Sequence, residues 1–297
     1  MPHLNQHFKN ILELNLAVLL ISTSGALGRY ITLDPFVIIL FRALMAGVVL
    51  YLFCRYKAFK ISIANRRDLL KVILGGSLMG IHWITYFYSL KLSSVAIGML
   101  SIYTYPVITT FLEPLLLKTG FSKMHLALAV LVLFGIYFLV PEFSLKNDQT
   151  LAVALGVTSA FFYSLRNILM KQEIEKYNGS VLMMYQMVII SCLLLPVLFI
   201  FDLSKVVSQL VPIFVLAFIT TSLGHTLLLM SFRNFSVTTA SIISSAQPVY
   251  GILIGMLFLG EYPALETVIG GLLIICAIFV EISRSMRRQP SPDTSSI

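Results

Sequence analysis

Gly80-Ile81-His82-Trp83-Ile84-Thr85-Tyr86-Phe87-Tyr88, continued by Leu100-Ser101-Ile102-Tyr103-Thr104-Tyr105-Pro106, decides how this chain folds. Two apolar segments of membrane-crossing length meet at Lys91-Leu92-Ser93. The first holds a histidine among aromatics, and the second a proline just after Tyr103 and Thr104. The pattern returns in the second half of the chain. Gly224-His225-Thr226 leads through Asn234-Phe235-Ser236 to Ser245-Ala246-Gln247-Pro248-Val249-Tyr250. A histidine and a proline at nearly equal spacing, twice over and inside apolar segments, point to an internal repeat.

Working outward, the 297 residues are 58% hydrophobic and 11% charged, with a mean hydropathy of +0.92. A soluble domain has too little interior to bury so much apolar surface. In lipid the backbone must satisfy its own hydrogen bonds, so apolar runs of about 20 residues are expected as helices. The short alternating strands of a membrane barrel are absent from the sequence. The expected fold is an all-α integral membrane protein.

Ten transmembrane helices are expected, at roughly 11–31, 36–54, 69–90, 94–117, 124–141, 149–170, 180–201, 209–230, 236–259 and 265–283. Basic residues set their direction. With a cytoplasmic N-terminus, the inner side receives Arg55, Lys57, Lys60, Arg66, Arg67, Lys71, Lys118, Lys123, Lys171, Lys176, Arg233, Arg284, Arg287 and Arg288. The outer side keeps Arg29, Lys91, Lys146 and Lys205. Both termini are therefore expected in the cytoplasm, and the +8 net charge is a topology signal that implies no nucleic acid. The polar tail 289–297 is expected to be disordered.

The halves can be superposed, with 1–145 as the first five-helix repeat and 146–288 as the second. Arg29 then falls on Arg166, Ser22 on Ser159, Arg42 on Gln186, His82 on His225 and Pro106 on Pro248. Five spans per half is an odd number, so the second half enters the membrane from the opposite side. That makes two inverted five-helix repeats, an arrangement that holds substrate near the membrane midplane.

Two stretches carry a resemblance. Ala246-Gln247-Pro248-Val249-Tyr250-Gly251, followed by Phe258-Leu259-Gly260-Glu261, resembles the Pro-to-Gly-Glu signature of the drug/metabolite transporter superfamily, in its EamA-type members. The first half answers with Tyr105-Pro106-Val107 and Glu113-Pro114-Leu115-Leu116-Leu117-Lys118-Thr119, where Thr119 replaces the closing Glu. The resemblance covers nearly the whole chain and implies secondary transport of small organic solutes, without naming one.

Candidate functional residues are the polar groups at membrane depth, where an ionisable side chain needs a cavity or a partner. Arg42 offers a planar fork suited to a substrate carboxylate, or a structural anchor for a freed carbonyl. His82 and His225 carry imidazoles, whose ordinary pKa could cross physiological pH, and are candidates for carrying coupling protons. Trp83, Tyr86, Tyr103 and Tyr163 are candidate cavity walls, and Gln247 a candidate donor-acceptor. Pro106 and Pro248 are expected to bend the fourth and ninth spans. Arg29 and Arg166 are expected near span ends with their charges reaching water, and Glu113 at the cytoplasmic interface.

Cys54, Cys192 and Cys276 lie far apart and are read as packing residues, so no metal site is expected. The sequence carries no phosphate-binding loop or nucleophile elbow, and no cofactor is expected. The leading expectation is a bacterial inner-membrane exporter of amino acids or related metabolites, surrounded by lipid, as a monomer or homodimer. Two alternatives stand beside it: a carrier for uptake or exchange of a nucleotide-like or other nutrient metabolite, and a membrane enzyme acting on lipid. Short loops with few carboxylates argue against the enzyme.

Overall fold

The computed structural model describes residues 2–118, 120, 123–137 and 148–287. Thr119, Lys146, the boundary between the two repeats and the tail 289–297 lie outside the described residues. The helices are α1 (Pro2–Tyr30), α2 (Pro35–Tyr56), α3 (Arg66–Leu92), α4 (Val95–Leu117) and α5 (Lys123–Tyr137). The second half supplies α6 (Asp148–Ile174), α7 (Gly179–Ile200), α8 (Val207–Ser231), α9 (Val237–Leu259) and α10 (Leu265–Arg287). Among the described residues, eight of these, all but α5 and α10, are long and apolar enough to cross a membrane. Large apolar side chains such as Leu52, Leu257, Phe258 and Phe279 are left exposed on the outside, as lipid-facing residues are.

Helix starts follow the local sequence. Asp34 accepts a hydrogen bond from Phe36 N–H at 2.8 Å, with Pro35 opening α2. Asn65 caps α3 and Asn178 caps α7 in the same way. Ser94 and Ser236 occupy matching places in the two halves, and each caps its helix, α4 and α9 respectively. The other ends of these helices match too. Lys118 closes α4 at φ +55° and Gly260 closes α9 at φ +66°, a left-handed turn that favours glycine and strains lysine.

Helix packing is reciprocal between the halves. The α3 helix packs along α6, and α8 along α1; α4 lies on α6, and α9 on α1. In the same manner α3 meets α7 while α8 meets α2, and the pairs α2–α7 and α5–α10 each join equivalent helices. Two like halves related by a two-fold produce this pattern. Close crossings depend on missing side chains: a Cβ on Gly156 of α6 would sit 2.1 Å from Ser101 Oγ of α4.

Both α4 and α9 are interrupted at mid-length. The first stretch of α4 ends at Ile102 and the second begins at Tyr105, with Pro106 at its second residue. In α9 the first stretch ends at Ile243, a tight turn covers Ser244–Ala246, and the second begins at Gln247 with Pro248 following. Proline donates no backbone hydrogen bond, so the ladder fails just ahead of it. A third irregularity is the wide π-helical stretch Leu216–His225 in α8, where Thr221 Oγ1 and Ser222 Oγ donate to carbonyls five residues back.

Carboxylates tie the ends of α4 and α9 to each other. Glu113 on α4 accepts from Val237 N–H at 2.8 Å, Thr238 N–H at 2.7 Å and the Thr238 hydroxyl at 2.5 Å, at the start of α9. Glu261, just beyond α9, accepts from Val95 N–H at 3.0 Å, at the start of α4, and from Arg29 Nε at 3.2 Å. Each carboxylate sits at a helix N-terminus, where the dipole favours negative charge. Glu113 thus departs from the interfacial place expected of it: it is 5% exposed and holds a helix start.

Two further expectations are corrected here. Arg29 does lie near a span end, but Arg166 is fully buried, and its place at a span end is wrong. The structural counterpart of Arg29 is Lys171. Arg29 donates to the Leu90 and Lys91 carbonyls at the end of α3, and Lys171 donates to the Phe232 carbonyl at the end of α8. Cys54 packs in the interior, whereas Cys192 and Cys276 are exposed on the surface.

Candidate functional site

The interruptions in α4, α8 and α9 all reach one cavity between the halves. Its lining comes from α1 (Ile21, Ser24), α2 (Arg42) and α3 (His82, Trp83, Tyr86) on one side. It is completed by α4 (Ile102, Tyr103, Tyr105), α6 (Tyr163), α8 (His225) and α9 (Gln247). All eight candidate site residues read from the sequence, Arg42, His82, Trp83, Tyr86, Tyr103, Tyr163, His225 and Gln247, are therefore brought together. The cavity volume is about 20 Å³, room for roughly one water. All twelve lining residues are buried.

Arg42 is the only charged residue of that lining, and it is fully buried. Its Nε donates to Thr221 Oγ1 at 2.7 Å. The guanidinium lies flat on Trp83, with Cζ 3.7 Å from the ring centroid, a cation–π contact strengthened by exclusion of water. Neither Nη1 nor Nη2 has a hydrogen-bond partner among the described residues. A buried guanidinium with two idle nitrogens is costly, and such a site is completed by an acceptor.

His82 is held from the other half. The Ser159 hydroxyl donates to the His82 carbonyl at 2.7 Å, so its one hydrogen is committed. The 2.8 Å contact from His82 Nδ1 to Ser159 Oγ must then run from the ring N–H to the oxygen. This assigns a proton to Nδ1, so that in the neutral tautomer Nε2 is the acceptor. The imidazole stacks on Tyr163 at 4.2 Å and 16°. Tyr163 in turn meets His225 edge-on at 6.2 Å, and His225 packs on Trp83 at 5.4 Å. One tyrosine therefore separates the two matched histidines. Nδ1 of His225 has no partner among the described residues.

The broken helices set the rest of the wall. Tyr103 stands in the turn inside α4, and Gln247 at the restart of α9. The Tyr103 hydroxyl donates to Gln247 Oε1 at 2.5 Å, closing the halves over each other. Tyr105 packs edge-on against both Tyr103 and Tyr163. Arg166 belongs to a separate network: Nε donates to Gln186 Oε1 at 2.8 Å and Nη1 to Asn167 Oδ1 at 2.9 Å. Gln186, on which the repeat places Arg42, thus serves the second half's buried arginine.

Several lining or supporting residues were not singled out from the sequence for this site: Ile21, Ile102 and Thr221. Thr221 reaches Arg42 because α8 is π-helical there, and residue spacing gives no sign of that. Among the described residues there is no group of three or more His, Cys, Asp or Glu side chains placed to hold a metal ion.

Comparison with known proteins agrees with this architecture. The uncharacterized inner membrane transporter YicL of Salmonella typhimurium is 26% identical over 293 residues, spanning 95% of this chain and 97% of its own. The pseudopaline exporter CntI of Pseudomonas aeruginosa is 21% identical over 256 residues, spanning 86% of this chain and 88% of its own. A crystal structure of another protein superposes on 95% of this chain and 99% of its own with a TM-score of 0.75. At 19% identity that likeness concerns the fold alone. The family model of the EamA-like transporters matches residues 9–140 and again 150–282, one copy per half. Two matched copies over nearly all of the sequence decide the matter: this membrane protein belongs to the EamA-like transporter family, within the drug/metabolite transporter superfamily.

Proposed function

We propose that the chain is a secondary exporter of small organic metabolites, amino acids or related acids, working by alternating access around the central cavity. It has ten spans in two inverted repeats, 1–145 and 146–288. Both termini are in the cytoplasm of a bacterial inner membrane. What carries the reading is the convergence of buried polar groups from both halves, around Arg42, on one cavity. A catalytic site would need acid–base pairs or a metal at such a point, whereas a carrier needs only convergent donors on apolar walls. The exporter among the relatives favours efflux over uptake.

His82 and His225 are the titratable pair for proton coupling, one from each half and both against Tyr163. The test is flux in proteoliposomes under an imposed pH gradient, with labelled amino acids and 2-hydroxy acids as probes. Saturable flux that follows the gradient is expected, and His82→Gln should remove that dependence. Solute-independent flux equal to that of empty liposomes would refute transport. Gradient-independent flux in wild type would refute coupling through the histidines.

A further inference from the structure

Which class of acid fits depends on the charges around the cavity. Twelve residues line it, and none is Asp or Glu. The fixed charge among them is the guanidinium of Arg42, and the nearby buried charge, Arg166, has the same sign. Nε of Arg42 is tied to Thr221 and one face of the fork is covered by Trp83, so Nη1 and Nη2 are fixed in orientation yet without partners. A further idle polar atom on the lining, His225 Nδ1, belongs to a ring packed on the same indole. Five aromatic side chains, Trp83, Tyr86, Tyr103, Tyr105 and Tyr163, make up much of the rest of the wall, with Ile21 and Ile102 beside them.

From this we infer that the central site takes a net-negative carboxylate on a flat apolar body, an aryl hydroxy acid being the model, in preference to a zwitterionic amino acid. This rests on the cavity being the transport site and on its widening to admit the acid, since as it stands it has room for roughly one water. A carboxylate laid across Nη1 and Nη2 completes the fork with two parallel hydrogen bonds. A hydroxyl on the neighbouring carbon meets His225 Nδ1. An ammonium in the same place finds two guanidiniums nearby and no carboxylate. The acceptors left to it on the lining, His82 Nε2 and the Tyr86 hydroxyl, are neutral and do not offset that repulsion, and Gln247 Oε1 already receives the Tyr103 hydroxyl. Burial excludes the water that would screen that repulsion, so discrimination against the zwitterion follows from charge alone.

Three probes of one shape separate the cases: 3-phenyllactate, phenylalanine and the neutral 3-phenylpropanol. Binding is read as a ligand-dependent thermal shift on the detergent-purified full chain, and transport as flux in proteoliposomes. The expected result is an apparent Kd for phenyllactate at least tenfold below those of phenylalanine and phenylpropanol. Arg42→Gln should erase the preference, and Arg42→Lys should recover only part of it, because the paired geometry is lost. Should Arg42→Gln fail to fold, Thr221→Val keeps the charge and frees the fork, and should weaken phenyllactate severalfold while leaving phenylpropanol unchanged. Phenylalanine binding as well as phenyllactate, phenyllactate failing to bind, or a preference that survives both variants would overturn the assignment. Phenyllactate that shifts the melting temperature without crossing the membrane would leave the anion site standing and remove the transport reading.

Discussion

Replacing Glu113 by glutamine tests how the two halves are held together. Three donors converge on this carboxylate: the N–H groups of Val237 and Thr238 and the Thr238 hydroxyl, all within 2.8 Å. The residue is 5% exposed, so no water replaces what is lost. Glutamine keeps one acceptor oxygen and brings an NH₂ group that must face a donor. At least one N–H at the start of α9 is then stranded, and the charge–dipole attraction there is gone. A stranded buried donor costs about 1–3 kcal/mol, and a lost bond to a charged group is of similar size, so the total is about 2–4 kcal/mol. Glu261 provides the control, because it binds a single N–H on α4 and its ion pair with Arg29 is about one-third exposed on each side. Solvent screening limits that pair to about 0–1 kcal/mol. Thermal melts in detergent, followed by circular dichroism at low and high salt, read both variants. Glu113→Gln should lower the melting temperature several times more than Glu261→Gln, and its effect should be insensitive to salt. Equal losses, or a Glu113→Gln protein as stable as wild type, would refute the assigned role of Glu113.

Two further outcomes follow from the geometry. Gly156→Ala drives a methyl group to 2.1 Å from Ser101 Oγ and should destabilise by about 1–3 kcal/mol, with Ser101→Gly in the same chain recovering part of the loss on the same melts. In the loop after α6, the hydrogen bond to Asp68 holds the half-exposed Lys176 ammonium above the ordinary lysine value of 10.5. Its pairing contributes fully below the unfolded value and is lost as pH rises through the folded one. Melting temperatures of wild type and Lys176→Met should therefore differ by a constant amount from pH 6 to 9 and converge only in stronger alkali. A difference that shrinks with falling pH would contradict this pairing.

Much of the site was legible in the sequence because a membrane penalises polar groups. Arg42, His82, His225 and Gln247 stood out as exceptions in apolar runs, and such exceptions gather where they can share a cavity. Their repeated spacing also suggested that the halves meet there. Arg166 shows the limit of that logic. It is as deep as Arg42, yet its donors are occupied by Gln186 and Asn167, and only contact geometry separates a satisfied arginine from an idle one. Glu113 was misplaced for a related reason. Distance along α4 puts it near water, but the start of α9 covers it.

By itself, then, the sequence determined the class of the fold, the repeat and the family, because hydropathy and two copies of one pattern are properties of residue order. The breaks in α4 and α9 were also legible, since a proline stops a hydrogen-bond ladder wherever it stands. Tertiary structure alone decided that Thr221 anchors Arg42, since the π-helical stretch of α8 is a product of packing. It also decided that Trp83 covers one face of the guanidinium and that Glu113 holds the start of α9. Each of these contacts joins residues far apart in the chain. Pairing of that kind depends on how the two halves dock, and no local pattern of residues encodes it.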